Sequence, residues 1–192
     1  MTVSISPMSH RVCPWWIGYL LLSPVRRWMQ DPVELLRPYV NPGITVLEPG
    51  PGMGFFTIPL AQLVGDSGRV IAVDVQPKMI AALKRRAGKF NVAERVDARV
   101  TSAQSLGVDD LAGRVDFALA FAMVHELPSA SRFFQEVSRA LKPNALLLLA
   151  EPRGHVNDAD FAGELAAAAG AGLEVKARPE IRRSHAAVLT KR

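Results

Sequence analysis

Three glycines at alternating positions follow an apolar run in the segment VLEPGPGMG, which ends at Gly54. Glycine lets the main chain turn sharply from a strand into a helix, and it lets a ligand approach the backbone closely. A helix that begins after such a turn presents N–H groups without intrahelical partners. Asp74 stands 20 residues beyond Gly54, at the end of a second apolar run, where a carboxylate can accept both hydroxyls of a ribose. The spacing therefore predicts a nucleoside-binding loop.

Neither of two common phosphate-binding patterns fits this loop. A dinucleotide loop, GxGxxG, would need glycine at position 55, where the sequence has Phe55, and a triphosphate loop would need Gly-Lys-Ser/Thr after the turn. Glu48, two residues ahead of Gly50, would repel a pyrophosphate but suits a cation. S-adenosylmethionine carries an ammonium, a sulfonium and no phosphate. The pair of Glu48 and Asp74 therefore favours that ligand over a dinucleotide.

Candidate catalytic residues follow the fourth and fifth apolar runs, at the edge where open α/β sheets bind ligands. His125 could act as a general base, or it could orient the loop 126–128 through a hydrogen bond. Glu151 could line an acceptor site, or it could pair with Arg153 or with a neighbouring helix end. A zinc-protease motif, HExxH, is excluded because Ser129 stands where the second histidine would be, and no metal site is predicted.

Strands and helices must alternate to bring these residues together. The predicted strands are 44–47, 69–75, 96–100, 115–123, 145–150, 174–177 and 186–190, and the predicted helices are 32–36, 55–64, 79–90, 129–141 and 158–169. Strict alternation implies an α/β fold in which a mostly parallel sheet is covered by helices on both faces. The connection between the last two strands is too short for a helical crossover, so we expect a terminal antiparallel hairpin.

Composition is that of an ordinary globular chain of 192 residues, with 49% hydrophobic and 21% charged residues. The single cysteine, Cys13, excludes an internal disulfide and a cysteine-based zinc cluster, and it favours a cytoplasmic setting. The formal net charge of +5 is scattered in short groups, with no run of five basic residues. Nucleic acid therefore stays open only as a less favoured substrate, and the sequence does not indicate an oligomeric state.

Residues 1–30 are predicted to form a separate segment, a tail followed by an apolar lid, ahead of a binding domain over residues 31–192. The stretch 15–22, WWIGYLLL, is too short to span a membrane and is not followed by a cleavage site. It can pack on the domain or lie at a membrane surface, and residues 13–28 are a candidate lid over the ligand. Cys13, at the start of the candidate lid, is either a packed cysteine or a reactive or metalloid-binding thiol.

Four segments in order resemble the class I S-adenosylmethionine-dependent methyltransferases: VLEPGPGMG, VIAVDV, VDFALAFAMVHELP and RALKPNALLLLAEP. The resemblance covers residues 33–192. It implies a Rossmann-like, doubly wound α/β fold with a seven-stranded, mostly parallel sheet, whose last strand is inserted antiparallel to form a terminal hairpin. It also implies S-adenosylmethionine as the cofactor.

The resemblance further implies roles for nine residues. They are Glu48, Gly50, Gly52 and Gly54 for the methionine part, Asp74 for the ribose with Val75 as a neighbouring contact, Ser102 and Ala103 for the adenine, and Phe121, whose carbonyl would meet the ammonium. His125 is the candidate catalytic base. We therefore expect an enzyme that methylates a small, partly hydrophobic molecule. The alternatives are a nucleic-acid or protein methyltransferase, and a non-catalytic regulator that binds the cofactor.

Overall fold

The computed structural model describes residues 31–192, in which seven strands are interspersed with five α-helices. The strands are β1 (Thr45–Pro49), β2 (Arg69–Asp74), β3 (Val96–Val100), β4 (Val115–Phe121), β5 (Leu141–Pro152), β6 (Leu173–Ala177) and β7 (Ser184–Lys191). The helices are α1 (Pro32–Leu36), α2 (Thr57–Leu63), α3 (Pro77–Lys89), α4 (Ala130–Ala140) and α5 (Asp158–Gly170). The predicted tail, the candidate lid and Cys13 lie outside these residues.

The seven strands form one sheet in the order β3-β2-β1-β4-β5-β7-β6. The strands from β3 to β5 run parallel, whereas β7 pairs antiparallel with both β5 and β6. Residues 178–183 join β6 to β7, and this connection is too short for a parallel crossover. The Rossmann-like, doubly wound α/β fold and its terminal antiparallel hairpin are therefore confirmed.

Two apolar cores cover the two faces of the sheet, because successive residues of a strand point to opposite faces. Leu147 and Leu149 of β5 belong to the core that includes residues of α4 and α5. Leu148, between them, belongs to the core that includes residues of α1, α2 and α3. All three leucines are fully buried. Helices therefore lie on both faces, as the alternation predicts.

Two strand boundaries differ from the sequence-based expectation. Strand β4 ends at Phe121 rather than at residue 123, because Ala122 has a φ of 56°, which an extended strand does not allow. Strand β5 begins at Leu141, directly after α4, rather than at residue 145. Its pairing with β4 passes from Val115–Leu141 to Phe117–Leu146, so β5 carries a bulge. Periodicity does not reveal this bulge, because its residues are polar and turn-forming.

The strand order reverses next to β1, which is the switch point where open α/β sheets bind ligands. Strands β1, β2 and β4 end there at Pro49, Asp74 and Phe121. A crevice at this edge is what the fold predicts. Among residues 31–192, no helix is long and apolar enough to cross a membrane.

Shortening a buried leucine of β5 tests how much the sheet depends on its two cores. Leu147→Ala should lower the free energy of unfolding by about 2–5 kcal/mol, because it removes apolar contacts and leaves a cavity. The matched control is Leu146→Ala on the same strand, where the side chain is only half-buried. Urea denaturation measures both changes. Equal losses for the two variants would contradict the burial described for β5.

Candidate active site

The glycine loop joins β1 to α2, and hydrogen bonds from its backbone tie it to β2. The N–H of Gly50 donates to the carbonyl of Val73 at 2.9 Å. The N–H of Gly52 donates to Oδ2 of Asp74 at 3.3 Å. The loop closes on itself through the N–H of Gly54, which donates to the carbonyl of Pro51 at 2.9 Å. The turn is therefore fixed by the end of the neighbouring strand.

Gly52 and Gly54 are required for different reasons, although both have positive φ angles of 54° and 85°. A Cβ atom added to Gly54 would lie 2.5 Å from Cδ1 of Leu83, so packing against α3 requires glycine there. A Cβ atom added to Gly52 would meet no described atom within 4 Å. Gly52 lines the neighbouring cavity, so its bare backbone faces open space that a ligand can enter.

Asp74 lies at the end of β2 with only 9% of its surface exposed. Besides the N–H of Gly52, it accepts the N–H of Gln76 at 2.8 Å through Oδ1. Burial raises the pKa of this carboxyl, and the backbone N–H donors oppose part of that rise. Asp74 therefore organises the loop and also presents a carboxylate to the cavity.

A cavity of about 420 Å³ opens at this edge of the sheet, within the size range of small-molecule sites. Seven of the predicted cofactor residues line it: Gly50, Gly52, Asp74, Val75, Ser102, Ala103 and Phe121. Glu48, Gly54 and His125 are not among its lining residues. The structure therefore brings most of the predicted residues around one space.

Glu48 is buried, with only 3% of its surface exposed, and it lies outside the cavity wall. Its Oε2 atom has no hydrogen-bond partner within residues 31–192. Burial raises the pKa of this carboxyl to about 8; the Thr57 hydroxyl opposes the rise, and the negative charge of Asp74 adds to it. Burial therefore favours the protonated form of Glu48 at pH 7, whereas a carboxylate that attracts a cation is the sequence-based expectation.

Aromatic and sulfur-containing side chains form much of the cavity wall. Phe56 lies 4.6 Å from Phe121 and Phe55 lies 4.9 Å from Phe56, measured between ring centroids. Met53 and Met123 line the same space. These side chains exclude water and suit an apolar ligand.

Charged residues of α4 also line the cavity, and one of them, Glu136, was not predicted as a site residue. Glu136 of α4 is 94% buried and accepts the backbone N–H of Leu106 and the hydroxyl of Ser105, so it fixes the loop after β3. Arg132 pairs with Glu136 at 3.3 Å. A signal was available, because Glu136 follows Phe133 by three residues and so falls on the apolar face of α4.

A phosphate-bearing ligand would find few partners in this cavity. Among its described lining residues, Arg132 carries the positive charge and is already paired with Glu136. Asp74, Glu126 and Glu136 are the carboxyl residues of the wall. The electrostatics therefore disfavour a pyrophosphate and favour a neutral or cationic ligand.

His125 and Glu151 meet beside the cavity. Nδ1 of His125 contacts Oε2 of Glu151, and this hydrogen bond raises the pKa of the imidazole although burial opposes it. Glu151 is fully buried and pairs with His125, whereas Nε of Arg153 donates to the carbonyl of Ser184 at 3.2 Å. Of the two predicted pairings, the one with Arg153 is therefore wrong, whereas the one with a neighbouring helix end fits, because Glu151 accepts N–H groups at the start of the short 3-10 helix Val124–Glu126. The role of His125 as a base stays a prediction.

A family model described as a methyltransferase domain matches residues 47–149. A crystal structure of an S-adenosylmethionine-dependent methyltransferase from Aquifex aeolicus has a TM-score of 0.82 and 25% identity, covering 93% of this chain and 98% of that one. The residues that the family model matches include the glycine loop, Asp74 and the turn after β4, and these parts surround the cavity.

Two relatives carry names that describe their substrates. An arsenite methyltransferase from Halobacterium salinarum is 34% identical over 110 residues, which cover 57% of this chain and 27% of that protein. A ubiquinone biosynthesis O-methyltransferase from Bradyrhizobium diazoefficiens is 30% identical over 140 residues, covering 73% of this chain and 51% of that protein. The chain therefore spans about a quarter of the length of the arsenite methyltransferase and about half of the length of the O-methyltransferase.

Replacement of Glu48 tests its unusual protonation. The folded protein holds this proton up to about pH 8 but the unfolded chain only to about pH 4.5, so the free energy of unfolding should fall as pH rises between these values. Glu48→Gln is isosteric with the protonated acid. It should leave stability nearly unchanged at pH 4 and raise it by more than about 1 kcal/mol at pH 8.

Urea denaturation of the ligand-free protein at several pH values measures this effect. The matched control is Glu94→Gln, which changes an exposed carboxyl on the turn before β3 and should behave like the wild type. A Glu48→Gln variant whose stability tracks the wild type at both pH values would contradict the buried, protonated state.

Proposed function

We propose, since the chain belongs to the methyltransferase domain family, that it is an S-adenosylmethionine-dependent methyltransferase acting on a small organic molecule. The observation that carries the proposal is the open backbone face of Gly52 beside the carboxylate of Asp74, at the switch point of the sheet. We propose residues 31–192 as the methyltransferase domain, residues 1–30 as its tail and lid, and a cytoplasmic setting.

The residues around the loop fit the chemistry of this cofactor. Gly52 leaves room where a side chain would stand. The unpartnered Oε2 of Glu48 supports a nearby positive charge, because a sulfonium or ammonium would favour ionisation of that buried carboxyl. The cavity volume of about 420 Å³ is in the range that a nucleoside with an amino-acid chain needs.

Each predicted cofactor residue receives a role in this proposal. Glu48, Gly50, Gly52 and Gly54 hold the methionine part, Asp74 accepts the ribose hydroxyls with Val75 beside it, Ser102 and Ala103 border the adenine, and the carbonyl of Phe121 receives the ammonium. The positions of seven of these residues in one cavity wall support the assignment. Gly54 and Glu48 act from behind the loop, by packing and by charge.

S-adenosylmethionine supplies a methyl group on a sulfonium, which makes the methyl carbon electrophilic. The chain's own contribution is to align an acceptor with that carbon and to exclude water. The rings of Phe55, Phe56 and Phe121 and the side chain of Met123 provide the dry wall that such alignment needs. An acceptor that must lose a proton would also need a base, for which His125 is the sequence-based candidate.

The acceptor that fits this wall is apolar or aromatic. A thiophilic metalloid is best held by several thiolates, and the chain has one cysteine. The aromatic wall therefore supports an organic acceptor over the arsenite that names one relative. A nucleic-acid acceptor would instead show binding that weakens steeply with salt, so the salt dependence of acceptor binding distinguishes the two.

Replacement of Asp74 tests the cofactor site. Asp74→Asn should weaken binding of S-adenosylhomocysteine at least about tenfold, because hydrogen bonds to charged groups contribute about 1.5–3 kcal/mol. Isothermal calorimetry measures the affinity, with NAD as a ligand that should not bind. The matched control is Asp109→Asn at an exposed position. Wild-type affinity in Asp74→Asn would remove Asp74 from the site, and no binding to the wild type would refute the function.

The two glycines of the loop should respond differently to alanine. Gly52→Ala places a methyl group where the ligand would lie, so it should weaken S-adenosylhomocysteine binding at least about tenfold while costing only about 1 kcal/mol of stability from its positive φ. Gly54→Ala should mainly lower stability, by more than about 2 kcal/mol, because its methyl group would collide with Leu83. Calorimetry and urea denaturation separate the effects, and the reverse ranking would contradict the geometry.

A further inference from the structure

The turn after β4 carries part of the cavity wall. Strand β4 ends at Phe121, and the chain then bends at Ala122, whose φ of 56° is unusual for a residue with a side chain. Met123 and Leu127 of the turn line the cavity. A Cβ atom added to Gly50 would lie 3.1 Å from Cβ of Met123, so the turn also packs on the glycine loop. A shift of this turn would therefore change both the cavity and the loop.

One carboxylate holds this turn. Glu151 of β5 is fully buried, and its Oε1 accepts the backbone N–H groups of Met123 at 3.1 Å and Val124 at 2.8 Å. Its Oε2 contacts Nδ1 of His125. Three consecutive residues thus donate to the same side chain. Strand pairing places Glu151 there, because it directly follows Ala150, the register partner of Phe121.

The burial of the Glu151 carboxylate and the conformation of the turn both depend on the hydrogen bonds between them. A buried ionised carboxylate costs several kcal/mol unless hydrogen bonds satisfy it. Charge-assisted hydrogen bonds are roughly twice as strong as neutral ones, and here they come from two backbone N–H groups and one imidazole. These bonds offset both the burial of Glu151 and the strained backbone of Ala122.

Other titratable groups face His125 and Glu151 from the neighbouring elements. Glu164 of α5 is 92% buried, and burial together with the charge of Glu151 raises its pKa to about 8. Glu126 lies on the same turn, the His155 ring lies 5.4 Å from the His125 ring, and Asp160 adds to the rise at Glu164. The carboxyl groups around His125 therefore favour its cationic form, whereas burial and the neighbouring carboxylates disfavour ionisation of Glu164.

We propose that Glu151 is a positioning residue for methyl transfer, which holds the turn from Ala122 to Leu127 against the glycine loop and orients His125 within this turn. The proposal rests on the proposed function of the cavity. It assigns His125 an orienting role, because Nδ1 of His125 contacts Glu151 and the His125 side chain is not among the residues that line the cavity. His125 then acts on the reaction through the turn.

Nuclear magnetic resonance spectroscopy of the wild-type protein tests directly whether Glu151 holds the turn through these hydrogen bonds. We expect slow hydrogen exchange at the amides of Met123 and Val124, and a His125 ring that carries a proton on Nδ1, where it contacts Glu151. Rapid exchange at both amides, or a His125 ring whose Nδ1 carries no proton, would overturn the proposal. This measurement requires no variant and no ligand, so it tests the role of Glu151 even if a variant fails to fold.

The variant Glu151→Gln tests the consequence for the cavity. It keeps the size of the side chain but removes its charge, so exchange at the two amides should accelerate at least about tenfold, the pKa of His125 should fall, and S-adenosylhomocysteine affinity should drop at least about fivefold. The matched control is Glu180→Gln, an exposed residue, which should match the wild type in all three measurements. A folded Glu151→Gln variant with wild-type exchange and affinity would overturn the proposal.

The results of these experiments distinguish the role of Glu151 from the proposed methyltransferase function. A wild type that does not bind S-adenosylhomocysteine refutes the proposed function, while the exchange and titration measurements still judge the role of Glu151. A wild type that binds, with a Glu151→Gln variant that binds equally well, refutes the role and leaves the function standing. For any acceptor that turns over, a kcat that rises in proportion to neutral His125 would identify it as a base and overturn the orienting role.

Discussion

The arrangement of the cavity depends on one interaction, the hydrogen bonds that Asp74 accepts at the end of β2. Its two oxygens take the N–H groups of Gly52 at 3.3 Å and Gln76 at 2.8 Å, so one side chain fixes the glycine loop and the start of α3 together. Together with the bond from the N–H of Gly50 to the carbonyl of Val73, this contact holds the loop at the end of β2. Because Gly52 has no side chain, the space next to that carboxylate stays open for a ligand.

Five carboxyl side chains are buried within residues 31–192, at Glu48, Asp74, Glu136, Glu151 and Glu164. Three of them accept backbone N–H groups from loops that line the cavity, so their burial is offset and their charge stiffens the walls. Oε2 of Glu48 lacks such a partner among the residues described. The fold therefore carries an unfavourable buried acid close to the place where a positively charged cofactor is proposed to bind.

The fold, and the part of the site formed by the glycine loop and Asp74, could be predicted from the sequence because both depend on local patterns. Glycine spacing and the end of an apolar run located Gly52 and Asp74, and alternating periods located the strands. The partners of Glu151 could not be predicted in this way, because its hydrogen bonds cross from β5 to the turn after β4 and depend on the register of the two strands. The early end of β4 was missed because alanine at 122 gives no sign of a positive φ.

A crystal structure of the protein with S-adenosylhomocysteine tests the central claim most directly. The account predicts density for the ligand in the cavity beside β1 and β2, with a ribose hydroxyl within hydrogen-bond distance of Asp74 and the amino-acid chain passing over the bare backbone of Gly52. A cavity closed by the protein's own side chains, or a ligand bound away from both residues, would contradict it.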